Sequence, residues 1–322
     1  MTRAGSYTLI DPPVATGVAA YERALDDAVG RLQADGVAAV YQIGGVSAPG
    51  ISDLDMVVVF DDTTRADAQT VPALRADHPY LFIHNLYGAT RTHFAQAQRF
   101  SFFHNYRLLW GDDVRNGTAG GAGEEVARLK RQIALEYLVK LYVSMSLQRA
   151  YSVLKVRSFL LHAKAVSYDL DFLDVESGPL HDLAQQFIAW RGAWFDQPPT
   201  PGAFADAFDR LFDALVAFLR EQLASGPFYL PGEAPYRVAK NLWLHPGVAL
   251  GVRREGVRPP AVLHRLGNRY VKLANRLNRF DITVPVATAP PSVLAERFRL
   301  VHEMAHHNRQ YLPGFDALTS SL

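Results

Sequence analysis

Two aspartates, Asp53 and Asp55, stand one residue apart at the end of a segment of small residues, Gly44-Gly45-Val46-Ser47-Ala48-Pro49-Gly50-Ile51-Ser52. On an extended strand, side chains alternate between faces. Both carboxylates therefore point the same way, roughly 7 Å apart along the chain, while Leu54 points into the core. Paired carboxylates are hard oxygen donors suited to Mg²⁺ or Mn²⁺. The segment ahead of them suits phosphate. Gly44 and Gly45 permit close backbone approach. Turn amides and the hydroxyls of Ser47 and Ser52 can donate to phosphate oxygens. A dication held by such a pair bridges nucleotide phosphates and neutralises charge during group transfer.

These residues need two strands and a turn to position them. Residues 14–35 read as a helix, with Val18, Tyr21, Leu25, Val29 and Leu32 at three- and four-residue steps. Gly36 follows, free to take the left-handed position that ends a helix. Val37–Ile43 is an apolar, β-rich run. Residues 53–60 form a second strand that is apolar from Met56 on, as expected for a strand covered on both faces. Residues 80–86 read as a third strand, and residues 107–110 as a further short apolar piece. The uncharged, Gly-rich stretch 116–123 reads as a linker. Beyond it, residues 124–173, 203–223, 261–277 and 292–311 show helical periodicity, and residues 226–258 hold irregular or β structure. The fold class expected is α+β. A mixed-sheet domain over residues 1–115, with flanking helices, is followed by a mainly helical domain over residues 124–322.

The Gly-Gly turn, short spacer and Asp-Leu-Asp strand resemble the polymerase-beta-like nucleotidyltransferase superfamily, of the small-molecule and antibiotic-modifying type. The closely matched part covers about 25 residues. The resemblance implies that Asp53 and Asp55 bind metal ions. It implies that Gly44, Gly45, Ser47 and Ser52 hold a nucleoside triphosphate in a cleft between the domains. Cations of the helical domain, Lys140 first and then Lys155, would reach the phosphates. The implied reaction moves a nucleoside monophosphate to a hydroxyl of a small molecule or a protein. The family also takes a third carboxylate from a later strand, often as base. Residues 80–86 contain no Asp or Glu, so His84 is the expected substitute. A catalytically silent nucleotide- or partner-binding member of the fold is the alternative.

Other patterns compete for attention. His302-Glu303-Met304-Ala305-His306 matches the zinc-hydrolase pattern, two histidines one helical turn apart with a glutamate as base. Arg265, Arg269, Lys272 and Arg276 form a basic stripe that could meet an anionic acceptor, a nucleic-acid backbone or only water. Only Tyr270 interleaves with it, so base stacking is not suggested. Trp190, Trp194, Phe195, Tyr236 and Trp243 read as core.

Composition bounds these readings. The formal net charge of +1 argues against a general nucleic-acid binder. With no cysteine, thiolate metal sites, disulfides and cysteine nucleophiles are excluded, and a cytoplasmic protein is expected. No apolar run reaches the length that spans a bilayer, so no membrane association is expected.

Overall fold

The computed structural model describes residues 2–100, 105–115 and 123–318. The elements run β1 (Thr2–Ala4), β2 (Tyr7–Ile10), α1 (Val18–Leu32), β3 (Val37–Ile43), β4 (Asp55–Phe60), α2 (Thr70–Asp77), β5 (Tyr87–Thr90), α3 (Arg91–Ala97) and β6 (Tyr106–Gly111). They continue as α4 (Glu124–Tyr151), β7 (Val153–Lys155), α5 (Val156–Phe172), α6 (Pro179–Gly192), α7 (Pro201–Ser225), β8 (Tyr236–Ala239), β9 (Leu242–Pro246) and β10 (Gly251–Gly256). The chain closes with α8 (Asn268–Leu277), β11 (Asn278–Val284), α9 (Ser292–Tyr311) and β12 (Asp316–Ala317). The class is mixed α/β with mixed sheets. No described helix is long and apolar enough to cross a membrane.

The chain divides into two compact units. One joins Met1–Val14 to Lys130–Pro290, and the other joins Ala15–Leu129 to Pro291–Ser320. This differs from a single cut between residues 115 and 124 in two ways. The N-terminal hairpin belongs with the later residues, because β2 pairs in parallel with β7. The last helix and β12 return to the earlier unit, because β12 pairs with β5. Of the proposed linker at residues 116–123, all but Gly123 lies outside the described residues.

The unit that carries Asp53 and Asp55 is built on a five-stranded sheet of order β12-β5-β4-β3-β6. β12, β5 and β4 run parallel, and β3 is antiparallel to both β4 and β6. Residues 56–60 of β4 are all buried, as a strand covered on both faces requires. On one face Met56, Val58 and Phe60 pack with Val40, with Tyr21, Leu25 and Leu32 of α1, and with Leu74 of α2. Truncating Leu25 there to Ala would cost about 2–5 kcal/mol in lost transfer energy and cavity. On the other face Tyr41 stacks on Phe94 of α3 at 5.7 Å.

The third strand is not residues 80–86. The backbone turns there instead, with the Leu81 and Phe82 amides both donating to the His78 carbonyl after α2. Leu81 and Phe82 are buried in the core under the sheet. A short apolar run fits a buried plug as well as a strand, and periodicity does not separate the two. The strand comes next, at β5.

The other unit holds α5 to α8 and most of α4. It is not wholly helical: it also contains the sheet β1-β2-β7 and the sheet β10-β11-β9-β8. In the second of these, Leu242, Leu244, Phe280, Ile282 and Val284 are buried, while the alternate positions face outward. Trp243 sits on that outward face, half-buried, with the Arg237 and Arg279 guanidinium groups 5.3 and 5.7 Å from its ring. Phe195 is 46% exposed. Neither is core. Trp243 sits outside the buried stripe that Leu242 and Leu244 supply.

Candidate active site at the start of strand four

β3 and β4 form an antiparallel pair with Ile43 opposite Asp55, so the turn between them carries the sequence motif. Gly44 adopts φ +69°, a conformation that favours glycine, and its amide donates to the Asn105 carbonyl at 3.0 Å. The rest of the turn splits into two parts. Residues 48–52 are fastened inward. The Ser52 amide bonds the Ala48 carbonyl at 2.8 Å, and the Ala48 amide returns to the Ser52 hydroxyl at 3.2 Å. The Tyr21 hydroxyl accepts from the Gly50 amide at 2.8 Å and donates to the Ser52 carbonyl at 2.9 Å. Tyr80 donates to the Gly50 carbonyl. Ser52 is therefore a buried clasp within the turn, not a phosphate donor. Gly45 and Ser47 are exposed and form the outward part.

Asp53 and Asp55 lie where the turn enters β4. Leu54 between them is buried, and its amide donates to the Leu81 carbonyl at 2.9 Å, so the alternation expected of a strand holds. Burial raises the Asp55 carboxyl to about 7, and the neighbouring Asp53 charge pushes the same way. His84 Nε2 is 4.0 Å from Asp53 Oδ2, with the imidazole largely exposed and Asp53 largely covered. His84 thus stands beside the pair, although on a bend rather than a strand.

The residue that β5 does bring alongside is Tyr87. It pairs in register with Val57 of β4, which shares a face with Asp55. Burial raises its phenol far above the ordinary tyrosine range, and the charges of Asp55, Asp316 and Asp53 add to the rise. Asp316 lies opposite Tyr87 on β12. It accepts from Asn85 Nδ2 at 3.0 Å, and Asn85 in turn accepts from Arg75. Sequence reasoning missed both residues. Tyr87 lay one position past the misread strand, and β12 is two residues long, too short for a periodic signal.

The remaining sequence candidates lie on other elements. Lys140 is exposed on α4, and Lys155 is half-buried at the N-cap of α5, its amide held by Gln148 Oε1 at 2.8 Å. Both belong to the unit that lacks the aspartates. His302, Glu303 and His306 are exposed on α9. Glu303 accepts from Arg299 at 2.8 Å, and His306 lies 2.9 Å from Gln310. Among the described residues no group of three or more His, Cys, Asp and Glu side chains is placed to hold a metal ion.

The aspartate pair still fits a hard dication. Mg²⁺ commonly takes only one or two carboxylates and fills its shell with water and substrate phosphates. Two like charges in a desolvated site, one with a strongly raised carboxyl, are electrostatically frustrated until a cation joins them. Compared with protein-family models, with curated proteins and with solved structures, the chain gives no significant match.

Proposed function

We propose that the chain is a metal-dependent nucleotidyltransferase that moves a nucleoside monophosphate from a nucleoside triphosphate to a hydroxyl of a small molecule or protein. The observation that carries this reading is the pair Asp53 and Asp55, together where the turn enters β4 beside the exposed Gly45 and Ser47, with the half-buried Asp55 carboxyl raised by desolvation and by the Asp53 charge. Asp53 and Asp55 would hold Mg²⁺ or Mn²⁺, which would supply charge neutralisation at the phosphates. The Gly45 amide and the Ser47 hydroxyl would orient the β and γ phosphates, while Gly44, its amide held by the Asn105 carbonyl, shapes the turn. Tyr21 and Tyr80 keep the turn in one shape, so little reorganisation is needed when nucleotide arrives. His84 would take the proton from the acceptor hydroxyl, since a neutral imidazole 4.0 Å from Asp53 can serve as base. Pyrophosphate leaves.

The experiment is a pyrophosphate-release assay with each nucleoside triphosphate, Mg²⁺ and a panel of hydroxyl acceptors. Release that depends on metal and on both aspartates supports the reading. A second reading is favoured by Tyr87, because the strand that pairs with β4 sets a phenol and not a carboxylate opposite Val57, two residues from Asp55. In that reading the site binds nucleotide and does not turn it over. Metal-dependent nucleotide binding with no pyrophosphate release in the presence of any acceptor assigns the chain to it.

A further inference from the structure

The whole-chain charge of +1 hides a strongly segregated surface. Residues 257–280 contain six Lys and Arg side chains and no Asp or Glu. α8 buries Tyr270 and Ala274. Arg269, Lys272 and Arg276, at three-, four- and seven-residue spacing, lie on its exposed side. Arg265 is exposed just before the helix, and none of these four cations makes an ion pair with a described residue. The same stretch exposes large aliphatic side chains. Of eleven exposed large apolar residues among those described, Val257, Val262, Leu266 and Leu277 fall here. Val257 and Leu277 are neighbours, since the Val257 amide donates to the Leu277 carbonyl at 3.3 Å, and Leu277 follows Arg276 directly. Val257 is 68% exposed.

We infer that this face, built from α8 and the turn before it, docks on an anionic lipid bilayer. Cations meet acidic headgroups, and adjoining aliphatic side chains enter the boundary with the acyl chains. The chain would lie on the membrane and not cross it. A polynucleotide would use the cations equally but gains from aromatic platforms, not from valine and leucine. The aromatics of this stretch, Tyr270 and Phe280, are both fully buried.

The test is co-sedimentation of the full chain with vesicles, in the absence of nucleotide and divalent metal, so that its outcome is independent of the reading of Asp53 and Asp55. Vesicles of phosphatidylcholine alone are compared with vesicles that also contain phosphatidylglycerol. Pelleting is expected only with the anionic vesicles, and less of it as salt rises. The triple variant Arg269→Gln, Lys272→Gln, Arg276→Gln should lose about a hundredfold in partitioning, about fivefold per cation. The double variant Val257→Ser, Leu277→Ser keeps the cations and should leave only binding that salt reverses fully. Unchanged thermal melting shows that each variant folds. No pelleting, equal pelleting with neutral vesicles, or an unaffected triple variant overturns the inference. So does tighter binding to a single-stranded RNA or DNA oligomer at the same ionic strength, which would assign the face to polynucleotide.

Discussion

Replacing Asp55 with Asn should stabilise the metal-free protein at neutral to alkaline pH and abolish its response to Mg²⁺. The carboxyl is raised from an ordinary 3.8 to about 7, by burial first and by Asp53 second. Below about pH 4 it is protonated in both the folded and the unfolded chain and costs nothing. Between about pH 4 and 7 the unfolded chain releases the proton while the folded chain keeps it, so stability falls as pH rises. Above that range both are ionised and the whole penalty is present. At about 1.4 kcal/mol per unit, the shift corresponds to about 4 kcal/mol, an upper bound because Asp53 shares the titration. An amide of the same shape removes the charge, so Asp55→Asn should gain about 2–4 kcal/mol over wild type near pH 8 and almost nothing near pH 4. Urea denaturation in chelator at the two pH values reads this directly. Mg²⁺ should then stabilise wild type at the higher pH and leave the variant unmoved. A variant less stable than wild type at the higher pH, or a difference independent of pH, would refute the electrostatic reasoning.

Two further outcomes follow from the turn and its neighbour. Tyr21→Phe leaves the Gly50 amide and the Ser52 carbonyl without their shared hydroxyl, and should lower stability by about 1–3 kcal/mol and weaken nucleotide binding. Denaturant midpoints unchanged from wild type would show that the clasp carries no weight. His84→Ala should reduce turnover severalfold or more while nucleotide affinity is retained. Undiminished turnover would place the base elsewhere.

The parts of the fold that the sequence made legible are the ones with long, regular patterns. The helix of Tyr21, Leu25 and Leu32, the strand Val37–Ile43 and the apolar run from Met56 are each specified locally, and each forms where its pattern predicts. The turn was legible for the same reason: Gly44 needs a positive φ that few other residues accept. The third strand was not. Leu81 and Phe82 are apolar because they plug the core, and the real strand, Tyr-Gly-Ala-Thr, carries little pattern of its own. Asp316 reaches the sheet from the far end of the chain by a two-residue pairing, which no local signal reports. Ser52 looked like a phosphate donor because hydroxyls are shared by anion sites and turn clasps, and only the Ala48 contact separates them. The net charge averages over the chain and so does not report the run of cations in residues 257–280, which acids elsewhere balance.

Nucleoside triphosphate binding with and without Mg²⁺, titrated calorimetrically into wild type, Asp53→Asn and Asp55→Asn, bears most directly on the role given to the two carboxylates. The account predicts binding that requires the metal and is lost in both variants, each folded by its melting curve. Binding that is indifferent to Mg²⁺, or that survives both substitutions, would contradict it.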